Sequence, residues 1–274
     1  MDRADVNGIE LEYEVRGAGE PVLLIDSVLP DGVLPLMTRA PLANRYQLIR
    51  YHRRGWVGST HTPGPVSIGD HATDAAAFLH YLGVTRAHVV GHSSGADIGA
   101  QLTLDHAELV QTLTLLEPTF TSLPAGRAFV QGAGPVFEAY GNGDHAAAVA
   151  MFVSAASGLE WESCRAMLEE RVPGVVTQAI KDADTFFGIE VPSLVAWEFG
   201  VEHAAAIRRP TLSIHGADTG PVWVEIAEFL RMSLPDVEEA TVEGVGHLLQ
   251  LQDPEPVARE IAAFLDRNPM RDDQ

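Results

Sequence analysis

The sequence predicts an α/β fold in which a mostly parallel sheet is covered by helices on both faces and carries an inserted helical lid. Three observations support this prediction. Short, fully apolar runs are typical of strands buried on both faces, and amphipathic helical patterns alternate with these runs. One long stretch in the middle of the chain has helical patterns but no strand pattern, which indicates an insertion into the alternating architecture.

The strand and helix predictions alternate from the amino terminus to the last quarter of the chain. Runs rich in aliphatic and β-branched residues, bounded by turn residues, predict strands over residues 9–15, 22–25, 47–51, 87–90, 113–116, 211–215 and 237–242. Periodic apolar patterns predict helices over residues 35–44, 96–102, 222–232 and 254–265. We expect one further helix, capped by Asp70 and ended by Gly83.

Residues 119–209 interrupt this alternation and are rich in aromatic side chains near their end. Such a segment is too long for an ordinary connection between two strands. We therefore predict that residues 1–118 and 210–274 form the core domain and that residues 119–209 form a helical lid over a ligand site. The alternative is a set of peripheral helices with a small core of their own.

Composition and charge limit the classes of molecule that we expect the protein to bind. The formal net charge of −20 argues against a nucleic acid or an anionic membrane surface, because phosphate binding needs clustered Lys and Arg. A single cysteine, Cys164, excludes an intrachain disulfide, and no Cys or His spacing resembles a zinc site, so we expect neither metal nor cofactor. Without a signal-peptide pattern or a membrane-spanning apolar stretch, the expected location is the cytoplasm.

The most informative motif is G-x-S-x-G at Gly91-His92-Ser93-Ser94-Gly95, between an apolar run and a helix of small residues. In a nucleophile elbow of this kind, a strained turn lifts the serine hydroxyl clear of the sheet. The glycines stand where a Cβ would collide with a neighbouring element, and they tolerate dihedral angles that other residues avoid. The alternative role for Ser93 is a helix N-cap.

With this motif in place, the chain resembles the α/β-hydrolase fold superfamily over nearly its whole length. The resemblance rests on the strand before Asp26-Ser27-Val28, on HRRGWVGS at residues 52–59, on the elbow, on His215-Gly216 and on Gly244-Val245-Gly246-His247-Leu248. It implies an eight-stranded sheet and a catalytic histidine after the last strand, where His247 stands. A serine needs such an imidazole to take its proton and to return it to the leaving group. The alternative for His247 is a surface-loop histidine.

Two carboxylates compete for the acid of the triad. Relatives usually carry an aspartate after the strand that ends here at His215, and Asp218 is near that place, one residue closer than the common G-x-x-D. Glu117 follows the strand after the elbow, where some haloalkane dehalogenases and the zearalenone lactone hydrolases carry a catalytic glutamate. Either could reach the far imidazole nitrogen, and we favour Glu117. The alternative roles are that Glu117 only ties down the root of the lid and that Asp218 caps the helix that starts near Pro221.

The resemblance also implies an oxyanion hole made from the backbone N–H groups of Val28 and Ser94. The sequence departs from the family pattern here, since relatives typically have His-Gly where this chain has Asp26-Ser27. A carboxylate at Asp26 would oppose an anionic intermediate unless it points elsewhere, and the Ser27 hydroxyl could add a donor.

Together these residues imply a serine hydrolase that cleaves an ester or lactone of a small apolar molecule through an acyl-enzyme, with some resemblance to zearalenone-type lactonases. Two alternatives remain: a carbon–carbon bond hydrolase on the same scaffold, and a non-catalytic ligand-binding protein that has kept the fold. Trp197, Phe186 and Phe187 are the expected pocket residues, although aromatic clusters are more often core.

Overall fold

The computed structural model describes residues 1–270, and an eight-stranded sheet lies at its centre. Its strands are β1 (Asp2–Val6), β2 (Ile9–Arg16), β3 (Glu20–Ile25), β4 (Tyr46–Tyr51), β5 (Ala87–His92), β6 (Val110–Leu116), β7 (Thr211–Gly216) and β8 (Val237–Val242). The spatial order is β1-β2-β4-β3-β5-β6-β7-β8. The two strand pairs that include β2 are antiparallel and the other five pairs are parallel, so the predicted mostly parallel α/β sheet is confirmed.

Seven of the eight strands coincide with predicted runs, and the first one was missed. Strand β1 is short and carries three charged residues in Asp2–Val6, so it lacks the apolar pattern of the others. Its pairing depends on the two-residue turn Asn7-Gly8, in which both residues have positive φ, 50° and 76°. An Asn-Gly pair adopts this turn readily and brings Val6 opposite Ile9.

Fourteen helices are described within residues 1–270. Those outside the segment between β6 and β7 are α1 (Ala40–Ala43), α2 (Ile68–Tyr81), α3 (Ser94–Asp105), α12 (Pro221–Ser233), α13 (Leu249–Gln252) and α14 (Pro254–Arg267). The segment between β6 and β7 contains α4 (Pro124–Gly132), α5 (Gly134–Gly141), α6 (His145–Ser157), α7 (Trp161–Arg171), α8 (Val175–Lys181), α9 (Ala183–Thr185), α10 (Val191–Ala196) and α11 (Val201–Ala206), with a π-helical turn, Phe186–Glu190, joining α9 to α10.

Two helix predictions need correction. The N-cap of α2 is Ser67, whose hydroxyl accepts from the Asp70 N–H at 3.0 Å, while the Asp70 carboxylate accepts from the Ser67 N–H. Asp70 is thus the third helical residue of a capping box and not the cap. The predicted helix over residues 35–44 is split into a 3₁₀ turn, Leu36–Thr38, and α1, because Pro41 has no N–H to continue the hydrogen-bonded ladder.

The helices cover both faces of the sheet. Alternate residues of β3 enter different core layers: Leu23 and Ile25 pack with α2, α3 and α12, whereas Val22 and Leu24 pack with α1 and α14. This alternation follows from the two-residue period of a strand and explains why the parallel strands are apolar throughout. No helix within residues 1–270 is long and apolar enough to cross a membrane.

The inserted segment packs over the carboxyl ends of the parallel strands. Its buried residues, among them Val149, Leu168 and Phe186, form one cluster with Val28 and Trp56, which belong to loops after β3 and β4. The helical insertion is therefore present as predicted, and its core is shared with the sheet domain.

Candidate active site

The loops at the carboxyl edge of the sheet bring the predicted site residues together. Val28 follows β3, Ser93 follows β5, Glu117 follows β6, and His247 follows β8. Ser93 and His247 are 154 positions apart in the chain, yet their side chains meet at this edge. The carboxyl edge of a parallel sheet is where open α/β folds bind their ligands.

The turn at Ser93 is strained in the way that the motif predicts. Ser93 has φ 53° and ψ −125°, a region that residues with a Cβ rarely occupy. A Cβ on Gly91 would collide with the backbone of Gly95 and Ala96, and a Cβ on Gly95 would collide with the carbonyl groups of Ile25 and Asp26. Close approach of neighbouring elements explains both glycines, because neither has a positive φ.

Three side chains form a hydrogen-bonded chain. The His247 Nε2 atom lies 3.3 Å from Ser93 Oγ, and the His247 Nδ1 atom lies 2.8 Å from Glu117 Oε2. All three residues are buried. Because a carboxylate only accepts, Nδ1 carries the proton towards Glu117, which leaves the Nε2 lone pair facing the Ser93 hydroxyl.

Glu117 is held in place by further donors. Its Oε1 accepts from the Gly216 N–H at 2.8 Å, and its Oε2 also accepts from the Thr219 hydroxyl at 2.9 Å. Asp218, the rival acid, is exposed, and the expectation that it caps the next helix is wrong, since the N-cap of α12 is Gly220. The short spacing after Gly216 thus leaves Asp218 outside the site, while Glu117 reaches the histidine from the adjacent strand.

The His247 ring is stacked against Trp223, a residue that the sequence did not single out. The ring centroids are 3.8 Å apart and the planes differ by 7°. The Trp223 Nε1–H donates to the Ala156 carbonyl at 3.2 Å, which fixes the indole between α12 and the insertion. Its position on the apolar face of a predicted helix was the available signal, but that pattern alone indicates core.

His92 contacts the loop that carries His247 and helps to hold it in place. Burial, together with nearby His247, lowers the pKa of His92 to about 3, so its ring is neutral at physiological pH. Its Nε2 lies 2.8 Å from the His247 carbonyl and must therefore donate, which leaves Nδ1 to accept from the Ser27 hydroxyl at 3.2 Å. The Ser27 side chain is engaged by His92 and does not point into the site as a donor.

The predicted oxyanion-hole residues, Val28 and Ser94, both line the cavity beside Ser93. Within the described chain, neither backbone N–H donates to an internal acceptor. The Asp26 carboxyl points away from this cavity and accepts from the Val33 N–H at 2.7 Å. Burial, together with nearby Asp31, raises the pKa of Asp26 to about 7, so the charge predicted to oppose an oxyanion is directed elsewhere and partly neutralised.

The cavity beside Ser93 lies between the sheet domain and the insertion, and it has about 580 Å³ of space free of atoms, part of which is open to solvent. Nearly all of its surface is apolar. The lining residues are Val28, Ser93, Ser94, Thr119, Thr121, Gly126, Phe129, Val130, Ala133, Phe137, Phe152, Phe186, Val191, Leu194, Val222 and Trp223.

Of the three aromatic residues predicted for the pocket, only Phe186 lines it. Phe187 packs against Phe137 and Tyr140 and does not line the cavity. Trp197 donates to Gln101 Oε1 at 2.7 Å and packs against Phe120, which places it at the base of the insertion. Neither Phe187 nor Trp197 is among the residues that line the cavity, because side-chain direction within the insertion is set by tertiary packing. Residues 1–270 contain no group of three or more His, Cys, Asp or Glu side chains arranged to hold a metal ion.

Known proteins resemble this chain in sequence and in structure. A putative carbamate hydrolase, RutD, of Azorhizobium caulinodans is 28% identical over 269 residues, which cover 96% of this chain and 98% of that protein. The enol-lactonase from Burkholderia xenovorans has a TM-score of 0.78 at 19% identity, covering 97% of this chain and 100% of the other. A thermophilic esterase from Thermogutta terrifontis has a TM-score of 0.84 at 18% identity, covering 98% and 100%.

At these identities the two solved structures establish a shared fold only. The stronger finding is that the family model described as alpha/beta hydrolase fold matches residues 26–254, which is most of the chain. This match spans the elbow, the insertion and the loop that carries His247. The chain belongs to the alpha/beta hydrolase fold family.

Proposed function

We propose that this protein is a serine hydrolase that cleaves an ester or lactone of a small apolar molecule through an acyl-enzyme. The observation that carries the proposal is the hydrogen-bonded chain from Ser93 through His247 to Glu117, which opens onto an apolar cavity. Ser93 acts as nucleophile, His247 as general base and then acid, and Glu117 as the partner that fixes the imidazole tautomer.

The reaction follows from the positions of the protons. The Ser93 hydroxyl gives its proton to His247 Nε2 while Oγ bonds to the carbonyl carbon, and the carbonyl oxygen becomes an oxyanion. The N–H groups of Val28 and Ser94 stabilise that oxyanion. The intermediate collapses as the bond to the leaving oxygen breaks, and Nε2 returns the proton to that oxygen. Water then repeats the sequence on the acyl-enzyme, releasing the acid and free Ser93.

The cavity supports an apolar substrate. Aromatic and aliphatic side chains from the insertion, including Phe129, Phe152 and Phe186, surround the approach to Ser93. The lining residues of the described chain include no charged side chain, so a charged substrate would lose hydration without gaining a partner. We infer that residues 119–209 act as a lid that encloses the apolar part of the substrate in the cavity beside Ser93.

A carbamate is the second candidate substrate, favoured by the similarity to RutD. A carbamate presents the same electrophilic carbonyl to Ser93, so the catalytic residues would be unchanged. A charged free carbamate fits the apolar lining poorly, whereas an uncharged carbamate ester fits it as well as a carboxylic ester does.

The test is a substrate panel measured against Ser93→Ala as the blank. The panel contains p-nitrophenyl esters of increasing acyl length, macrocyclic lactones and a p-nitrophenyl N-alkyl carbamate. We expect turnover of esters or lactones that disappears in Ser93→Ala. A kcat/KM for the carbamate at least tenfold higher than for any ester or lactone would identify a carbamate as the substrate class. Absence of any turnover that depends on Ser93 would contradict the proposed function.

A further inference from the structure

A buried ion pair joins the insertion to the loops around the oxyanion hole. Arg53, in the loop after β4, and Glu190, the last residue of the π-helical turn, have side chains that are 2% and 1% exposed. Their Nη1 and Oε2 atoms are 2.6 Å apart. Removing two charges from water is costly, and such a pair is often no more stable than apolar residues of the same volume. Its energetic contribution alone therefore does not explain its presence.

Glu190 uses both oxygens at this junction. Its Oε2 also accepts from the Trp56 Nε1–H at 3.2 Å, and the guanidinium of Arg53 lies over the Trp56 ring. Its Oε1 accepts from the Ser94 hydroxyl at 2.7 Å. Ser94 is the first residue of α3, and its N–H is one of the two groups assigned to the oxyanion hole. Glu190 thus holds the residue that carries that donor.

Arg53 fixes the second donor of the oxyanion hole, the Val28 N–H, through the peptide group that joins Ser27 to Val28. Its Nη2 donates to the Ser27 carbonyl at 3.0 Å. That carbonyl and the Val28 N–H belong to the same peptide group, which is trans, so they point in opposite directions. By fixing the Ser27 oxygen towards itself, Arg53 fixes the Val28 N–H towards the cavity beside Ser93.

We propose that Arg53 and Glu190 are positioning residues that align both donors of the oxyanion hole, an inference that rests on the proposed function. Neither side chain lines the cavity, so both act through Ser27, Val28 and Ser94. Glu190 lies in the insertion. The oxyanion hole is therefore fully assembled only when the insertion is packed over the carboxyl ends of the strands. Removal of the pair weakens stabilisation of the oxyanion and leaves binding of the ground state largely intact.

The test measures kcat, KM and inhibition by a trifluoromethyl ketone. The ketone adds Ser93 Oγ to its carbonyl carbon and so places an oxyanion in the hole. The variants are Glu190→Gln, Arg53→Lys and the charge-free double variant Arg53→Met/Glu190→Gln, which avoids leaving one charge buried alone. The matched control is Arg54→Met. Arg54 is adjacent and pairs with Asp74, and neither residue contacts Ser27, Ser94 or Glu190.

We expect each pair variant to lower kcat roughly 10- to 100-fold, with KM changed less than threefold, and to raise the inhibition constant of the ketone by a similar factor. Arg53 donates to Glu190 and to the Ser27 carbonyl from two nitrogens in a fixed geometry. A lysine has a single nitrogen and cannot reproduce both contacts, so we expect Arg53→Lys to lose kcat although the positive charge is kept. The inhibition constant of the ketone does not depend on the fraction of the enzyme that is folded. It therefore distinguishes a misaligned oxyanion hole from a loss of folded protein. Arg54→Met lowers the melting temperature and leaves both kinetic values near wild type.

Three results would overturn the inference. Pair variants that retain kcat and ketone affinity would mean that Arg53 and Glu190 serve stability alone. An equal loss in Arg54→Met would mean that the effect is general damage to this loop. A wild-type protein without turnover dependent on Ser93 would remove the proposed function, and the inference would fall with it; the first two results leave the proposed function standing.

Discussion

At the scale of single residues, the site rests on two strained positions at the ends of neighbouring strands. Ser93 and Glu117 have φ values of 53° and 44°, in a region that side chains with a Cβ seldom adopt. Strain of this kind costs on the order of 1 to 3 kcal/mol and persists where surrounding contacts enforce it. Hydrogen bonds from Gly216 and Thr219 hold Glu117, and the packing of Gly91 and Gly95 holds the turn at Ser93.

The choice between the two carboxylates yields the first prediction. Glu117→Gln keeps the shape of the side chain but removes the charge that stabilises protonated His247, so we expect kcat to fall by up to ~10⁴-fold while the melting temperature stays close to wild type. The matched control is Asp218→Asn, which should keep most of the activity because Asp218 is exposed. Steady-state kinetics on one ester and thermal denaturation of both variants provide the check; the reverse pattern would assign the acid to Asp218.

The sequence reduced the candidates for the acid of the triad to Glu117 and Asp218 and favoured Glu117 by resemblance, but the residue pattern itself does not distinguish them. Both follow strands of the same sheet, and residue spacing does not report which way a loop turns. The position of the Glu117 carboxylate depends on Gly216 and Thr219, two donors on a different strand and loop. Glu190 was missed for the same reason, since nothing local in an aromatic segment indicates that its carboxylate meets Ser94.

A second prediction concerns the buried Asp26. Its pKa is about 7 in the folded protein and near 4 in an unfolded chain, so folding favours the protonated form. The contribution of Asp26 to the free energy of unfolding is therefore greatest at low pH, falls as the pH rises from about 4 to 7, and is constant above. In Asp26→Asn this part of the pH dependence is absent, and the variant gains up to about 4 kcal/mol relative to wild type by pH 8.

Denaturant unfolding of wild type and Asp26→Asn at pH 4, 6 and 8 measures this difference directly. Taking the difference cancels the contribution of other buried carboxyls such as Asp97, whose pKa is also raised to about 7. Asp218→Asn serves as the exposed control and should show no such trend. A constant difference between wild type and Asp26→Asn across this range would mean that Asp26 is not perturbed as described.

At the scale of elements, the insertion builds most of the pocket wall. Helices α4, α5 and α6 and the π-helical turn each contribute an aromatic residue, respectively Phe129, Phe137, Phe152 and Phe186. The sequence indicated that this segment is helical and inserted into the sheet domain. It could not indicate which aromatic side chains face the cavity, because a π-helical turn shifts the helical register and redirects the residues that follow.

Adjacent aromatic residues in that turn provide the third prediction. Phe186 lines the cavity and Phe187 does not, although both are 3% exposed. Each replacement by alanine should destabilise the fold by about 3 to 5 kcal/mol. Only Phe186→Ala should enlarge the cavity and shift the preference in kcat/KM towards longer acyl chains. Measuring a series of p-nitrophenyl esters with both variants tests this, and an identical shift in both would mean that the change is not specific to the pocket.

At the scale of the whole molecule, the site exists only when the sheet is assembled. Glu117 follows β6, Ser93 follows the adjacent β5, and His247 follows β8, with β7 between β6 and β8. Alternation of apolar runs and helical patterns was enough to predict this architecture, because parallel strands buried on both faces have a distinctive composition. The exception was β1, whose charged side chains hide a strand that an Asn-Gly turn brings into the sheet.

The central claim is that Ser93 is a nucleophile activated by His247. Intact-mass spectrometry after incubation with a fluorophosphonate tests it most directly, because only an activated serine reacts readily with such a probe. We expect one adduct per chain, located on Ser93 by peptide mapping, absent in Ser93→Ala and formed far more slowly in His247→Ala. An unmodified wild-type protein, or an adduct on a different serine, would contradict the account.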